Sequence, residues 1–418
     1  MYAAVSYGAK SDSTFDSRPG IQASIDACHA AGGGRVVLSA GQVRSDGPLE
    51  LRSGVNLVVP AATTLSFGWD SLDYRPLRLQ RWEGTVLYNW SPLIYAREAR
   101  DIAVTGGGTI HGNGRHWRHW RARQKAQRDR LRDMGRDGVP DEHRVFGDGF
   151  LDLDGDGRDD GFGEGRSYPF RPDLLQFYDC DNVLIDGPTF RESPFWSVHP
   201  VFCRNVTIRN VTVEGHFLND DGIDPDSCTD VLVEDCTVDT VDDALAVKAG
   251  RDQDGWQRAP MRNLVVRRCS LRSTTNAWTI GSEMSGGVEN VFVEDCVFTG
   301  AKHPSGRGHG ITFKSNLDRG GFVRDIFIRD CRVDSAEQAG VVVRMDYHGY
   351  RGGDYPPDVQ RLYLDSVAIG TVSEGPAFRF VGVEQQPIRR VYFRDVTVDS
   401  SAAPNVFEHT VIAGLDTP

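Results

Sequence analysis

One phrase recurs through the second half of the chain: a small or polar residue, then Asn or Asp, then an aliphatic opening an alternating run. It reads CDNVLI from Cys180, CRNVTI from Cys203, CTDVLV from Cys228, RNLVV from Arg262, ENVFV from Glu289 and RDIFI from Arg324. Weaker copies start near Val55, Asp101, Arg361 and Arg390. The Asn/Asp markers at 182, 205, 230, 263, 290 and 325 stand 23 to 35 residues apart. A repeat held in phase means stacked units, none of which can bury its apolar face alone. Gly, Asn, Asp and Ser break each unit into short alternating runs with almost no helical period, which excludes helix-pair solenoids. A propeller blade needs about 40 to 45 residues, more than these units supply. The expectation is an all-β chain, a right-handed parallel β-helix with two or three short strands per coil.

The cysteines keep the same phase. Cys236, Cys269, Cys296 and Cys331 each fall six residues after their marker, and Cys180, Cys203 and Cys228 each fall two before theirs. Stacked coils then place them in ladders about 4.8 Å per step, read as buried, reduced thiols. No CxxC pair or Cys/His spacing points to zinc. Ser17 to Ala31 is the one convincing helix, with Ile21, Ile25 and Cys28 on one face and Gly32-Gly33-Gly34 ending it. It is expected to cap the open end of the solenoid, whose strand edges would otherwise be exposed.

Asp220, Asp221, Asp224, Asp226, Asp242 and Asp243 crowd the stretch from Asn219 to Lys248. Asp221 precedes Asp242 by 21 residues and Asp243 by 22, close to one coil, so the second pair should lie beside the first. Clustered carboxylates repel one another and raise at least one pKa. Such a cost fits acid–base chemistry on a glycosidic bond or calcium binding.

Several further stretches give the chain a family likeness. Asn219-Asp220-Asp221-Gly222-Ile223-Asp224 resembles the Asn-Thr-Asp-Gly motif of glycoside hydrolase family 28, the polygalacturonase family. Asp242 to Lys248 resembles its Asp-Asp block, and Ile280 to Val288 and Glu192 to Pro200 resemble phrases of its bacterial, exo-acting branch. The likeness runs from about Ala4 to about Thr397. It implies an inverting glycosidase acting on pectin-type glycans, galacturonan or rhamnogalacturonan, with a poly- or oligosaccharide as partner and no cofactor needed for catalysis. It also implies that Asp242 is the general acid, and that Asp221 and Asp243 hold and deprotonate water across a gap of about 6.5 to 9.5 Å. Asn219, Asp224, His199, Lys248, His309, Lys314, Arg344 and Tyr347 are the candidates for substrate contact. Two departures stand out. Thr274-Thr275-Asn276-Ala277 occupies the place of the family's Gly-His-Gly, with His309 one coil further on. The family's Arg-x-Lys aligns with Thr312-Phe313-Lys314, and Thr cannot replace a bidentate carboxylate grip. Either Arg344 supplies that charge or the sugar there is not a uronate. A non-catalytic carbohydrate-binding β-helix and a polysaccharide lyase are the rival readings.

One domain is expected over 1–418, with a cap region to residue 35, an insertion over 115–168 and catalytic coils over 169–397. Arg115 to Arg136 is a basic, helix-like run inside the insertion, expected to wall one end of a cleft and make the enzyme exo-acting. Beyond it, Asp152, Asp154, Asp156 and Asp160 take positions 1, 3, 5 and 9 of a calcium-loop spacing, with Gly157 at 6 and Glu164 just past position 12. A structural calcium there is the one metal expectation. The aromatics from Phe67 to Tyr95 suit either sugar stacking or a core. A net charge of −12 argues against nucleic acid and anionic membranes, and no apolar run reaches the length of a membrane span. As given, the chain reads as cytoplasmic, or as secreted or periplasmic if a leader was trimmed. Nothing in it speaks to an oligomeric state.

Overall fold

The structure, a computed structural model, describes residues 1–163, 165–302 and 307–415; the Glu164 of the calcium-loop expectation lies outside them. The fold is a right-handed parallel β-helix that divides into two compact units, residues 1–214 and 215–418.

In the first unit each coil lays down three strands. One ladder runs Gly34–Val37, Val55–Val58, Arg100–Thr105, Asp181–Asp186 and Arg204–Arg209, all parallel and in register. A second holds Gly41–Ser45, Thr63–Phe67, Thr109–His111, Thr189–Arg191 and Thr212–Glu214. A third holds Leu49–Glu50, Ile94–Arg97, Leu175–Tyr178 and Val198–Val201. Helix α1, Arg18–Ala30, packs Ile21, Ile25 and Cys28 inward over the first coil, as expected of a cap. Gly33 is needed after it: φ is +103° and a side chain would collide with the Gly54 backbone.

The repeated phrase has a conformational cause. All six markers adopt the left-handed region, with φ between 52° and 59°, where Asn and Asp are better tolerated than other residues. Their side chains also bond from coil to coil: Asn205 Nδ2 donates to Asn182 Oδ1 at 2.6 Å, and Asn290 Nδ2 to Asn263 Oδ1 at 2.6 Å. The residues just before Cys236, Cys269, Cys296 and Cys331 turn the next corner in the same conformation. All eight cysteines are buried free thiols.

The insertion leaves the repeat. Helix α2, Trp120–Arg136, buries Leu131 among Trp82, Leu87, Phe146, Tyr168, Phe170, Phe195 and Trp196. Arg132 pairs with Glu83 at 2.7 Å and Arg130 bonds the Tyr168 hydroxyl at 2.7 Å. The basic run is therefore anchored through its apolar side and several of its arginines. The aromatics from Phe67 to Tyr95 resolve mostly to core: Phe67, Tyr74, Trp82, Trp90 and Tyr95 are buried, while Trp69 is open and stacks on His116 at 3.9 Å.

In the second unit one sheet carries the strands that matter below: β1 Leu245–Val247, β2 Asn276–Gly281, β3 His309–Lys314, β4 Ala339–Arg344, β5 Phe378–Val381 and β6 Val406–Glu408, all parallel. Stacked rings of Phe292, Phe327, Tyr363 and Tyr392, 4.7 to 4.8 Å apart, mark the coil spacing on another face. The coils also continue past Thr397: β6 and Thr410–Leu415 add rungs where the sequence showed no signal. The Asn/Asp marker is absent there, and His409 takes the left-handed corner instead.

Candidate active site

The segment after Asn219 lies against β1 through isolated bridges, Ile223 to Leu245 and Asp226 to Lys248. Gly222 N–H donates to the Asp243 carbonyl at 2.9 Å, which sets Asp221 beside Asp243, as the spacing of about one coil implied. Gly222 has to be glycine, because a side chain would strike the Ala244 carbonyl and Val238.

One oxygen from each of Asp221, Asp242 and Asp243 lies within 4.8 Å of the others. Neighbouring rungs and adjacent residues bring these nearest oxygens together. Asp221 and Asp243 are buried, and Asp242 is the most open of the three. Asp242 Oδ2 accepts from the Asn219 N–H at 2.8 Å, and its other oxygen accepts from the Asp243 N–H at 3.1 Å.

The three acids are not electrostatically equivalent. Burial, with Asp242 and Asp224 nearby, pushes Asp221 well above the usual carboxylate range. Burial and the Asp243 charge raise Asp242 too. Burial would also raise Asp243, but the Lys314 and Lys248 ammonium groups outweigh it and hold Asp243 below its ordinary value. Lys314 Nζ sits 2.5 Å from Asp243 Oδ2, and Asn276 Nδ2 and Thr275 Oγ1 donate to Asp243 Oδ1 at 2.6 and 3.1 Å. So the cluster keeps Asp243 anionic and retains protons on the Asp221–Asp242 side, a distribution that belongs to the coupled group.

The other candidates fall into three places. Lys248 is 2% exposed and lies behind the acids: Nζ is 3.6 Å from Asp221, 3.1 Å from Glu283 and 3.2 Å from the Gly281 carbonyl oxygen. Asp224 is wholly buried in the same segment, and Asn219 meets Asp242 through its backbone. His309, Lys314, Arg344 and Tyr347 gather on one side of Asp243: His309 lies level with Asn276 across β2 and β3, and Lys314 with Arg344 across β3 and β4. The Lys314 ammonium is 5.5 Å from the Tyr347 ring centre. His199 belongs to the first unit, fully enclosed, with Nδ1 2.7 Å from Asp173 Oδ2 and 3.0 Å from Gln176 Nε2.

Asp220, Thr275, Asn276 and Glu283, which were not among the candidates for catalysis or substrate contact, also border the acids. Asp220 is buried, accepts from the Asp242 N–H at 3.0 Å, and is pushed up to about 7 by that burial. Its signal was present, since it fills the Thr place of Asn-Thr-Asp-Gly. Thr275 falls where the family histidine was sought, and its hydroxyl spans Asp242 and Asp243.

In the insertion, oxygens of Asp152, Asp154 and Asp156 lie within 4.8 Å of one another, and their carboxylates accept N–H groups of Gly155, Asp156, Gly157 and Arg158. Asp160 stands apart from that group and accepts the Leu153 N–H. An all-oxygen trio folded around its own backbone suits a hard cation such as calcium.

The family model for glycosyl hydrolases family 28 matches residues 140–412. A probable polygalacturonase of Vitis vinifera is 32% identical over 323 residues, 75% of this chain and 55% of that one. An exo-poly-alpha-D-galacturonosidase of Dickeya chrysanthemi is 25% identical over 402 residues, 91% and 64% of the two chains. The chain thus spans between half and two thirds of the length of these curated relatives. Among solved structures, a hyperthermoactive exopolygalacturonase from Thermotoga maritima superposes with a TM-score of 0.86 at 30% identity, over 98% of this chain and 90% of that one.

Proposed function

The chain belongs to glycoside hydrolase family 28, and from that premise we propose that it is an exo-acting glycosidase of galacturonan-type glycans that inverts the anomeric centre. The observation that carries this reading is the three-carboxylate cluster whose members are charged differently by their surroundings. Asp242, raised in pKa and most open to a ligand, donates its proton to the glycosidic oxygen as the bond to the anomeric carbon breaks. Asp243, held anionic by Lys314, accepts the proton of a water that it orients together with Asp221 as the new C–O bond forms, and Asp221 keeps its own proton. General acid and base transfer of this kind contributes about 10² to 10⁴ in rate each. The likeness to exo-acting relatives of Dickeya chrysanthemi and Thermotoga maritima supports exo action. The aspartate trio of the insertion would hold calcium as a structural ion.

The close packing of the acids supports one competing route. Retaining glycosidases place their two carboxyl groups only about 5 to 5.5 Å apart, so attack by a carboxylate itself, forming a glycosyl ester, is the second reading. Proton NMR of the first-formed reducing sugar from trigalacturonate separates the two. Inverted product supports the proposal, and retained product overturns it. Product carrying a new carbon–carbon double bond would instead mark a lyase.

A further inference from the structure

Three cations crowd one ring beside the acids. Arg307, Lys314 and Arg344 approach the Tyr347 ring centre to 5.8, 5.5 and 5.9 Å. Lys314 is engaged by Asp243, and Arg344 donates Nε to Asp346 Oδ1 at 2.7 Å and Nη2 to the Asp346 carbonyl oxygen at 3.2 Å, leaving Nη1 without a partner among the described residues. The Arg307 guanidinium has no carboxylate partner among the described residues. Two imidazoles share the space: burial and these cations hold His309 down at about 3 and His348 at about 4, so both are neutral across the ordinary range. His309 is 8% exposed, and its Nδ1 has no hydrogen-bond partner among the described residues. In a chain of net charge −12, like charges gathered around a buried, unsatisfied polar atom are costly unless an anion with hydroxyl groups completes the set.

At the register position where the family carries its arginine, Thr312 is buried, and its hydroxyl has no hydrogen-bond partner among the described residues. It is too short to reach and clamp a carboxylate. We infer that Arg307 and Arg344, converging on Tyr347, form a carboxylate-binding subsite that takes over the uronate recognition lost at Thr312, with His309 Nδ1 meeting a sugar hydroxyl. The inference rests on the galacturonan reading above. Lys314 Nζ is 2.5 Å from Asp243 Oδ2 and 5.5 Å from the Tyr347 ring centre, so the ring on which the subsite converges lies at most about 8 Å from Asp243. A guanidinium pair grips a planar carboxylate with two parallel N–H donors, which makes it selective for uronates over the corresponding neutral sugars.

The test compares KM and kcat for trigalacturonate and for its carboxyl-reduced galactose counterpart in the wild type, Arg307→Gln and Arg344→Gln. The expected result is a rise in KM for the uronate of about tenfold or more in each variant, with the discrimination between the two substrates shrinking by the same factor. Arg344→Lys should restore only part of it, because an ammonium keeps the charge but not the fork. Arg307 is exposed, so its variant keeps the test valid if loss of the Arg344–Asp346 pair impairs folding. Unchanged discrimination in a folded Arg307→Gln enzyme that still cleaves trigalacturonate overturns the subsite alone. A wild type that turns over only the neutral substrate overturns the subsite and the galacturonan reading together.

Discussion

Replacing Lys314 with methionine removes the cation that keeps Asp243 charged, and the structure says how much that costs. The two side chains are 8% and 1% exposed at 2.5 Å, so solvent screening is minimal. Removing one partner of a buried pair costs about 3–5 kcal/mol, mostly as the penalty of the charge left behind. In the wild type the depressed Asp243 pKa contributes stability that is present above the unfolded value of about 3.9. That contribution is lost as pH falls through the lower folded value. The Lys314 pKa is raised, chiefly by Asp243 against the opposing effect of burial. Its contribution is present below about 10.4 and is lost only as pH climbs through the higher folded value. Between these limits the pair adds no pH slope. In Lys314→Met, burial acts on Asp243 with only Lys248 and the Asn276 and Thr275 bonds opposing it, so its pKa moves above the unfolded value. Stability then falls as pH rises from about 4 toward the new folded value, and the acid limb of the activity profile shifts upward as the base becomes protonated. Urea unfolding at several pH values and a pH profile of kcat read both. Adding Asp243→Asn should recover most of the stability and none of the activity. A Lys314→Met protein within about 1 kcal/mol of wild type, with the same acid limb, would refute the argument.

Asp242→Asn should lower kcat by about 10³-fold while the KM for trigalacturonate changes only a few-fold; loss of binding with intact chemistry in the bound fraction would count against its role as acid. Lys248→Met removes the ammonium that opposes the rise of Asp221 and pairs with Glu283; unfolding in urea should come earlier and the acid limb of activity should move to higher pH, and an unshifted limb would leave Lys248 a packing residue only. Calcium at 100 times its Kd should stabilise the folded protein by about 2.7 kcal/mol, an effect abolished by Asp154→Asn; identical melting with calcium and with chelator would dismiss the metal. Eight thiols should titrate after denaturation without reductant, and fewer would reveal a disulfide.

The repeat was legible because its marker is a conformational requirement. A left-handed corner every coil selects Asn and Asp, so the same phrase returns in phase, and where His409 takes the corner the reading stopped too early. The clustering of Asp221, Asp242 and Asp243 was legible for the same reason, since a spacing of one coil is a statement about neighbours. What the period could not give is which polar side chains turn inward. Lys248 and His199 look like surface ligands in one dimension and are enclosed in three. The Thr275 and Asn276 bonds to Asp243 likewise depend on side-chain direction at a coil corner. Arg307 stands next to a coil boundary with no motif around it, and only the convergence on Tyr347 distinguishes it from any surface arginine.

Exo action on galacturonan is read out by time-resolved product analysis of polygalacturonate. Monogalacturonate should be the first and dominant product, with viscosity falling slowly. A ladder of oligomers with a rapid loss of viscosity would contradict it, as would release of sugar from neutral glycans alone.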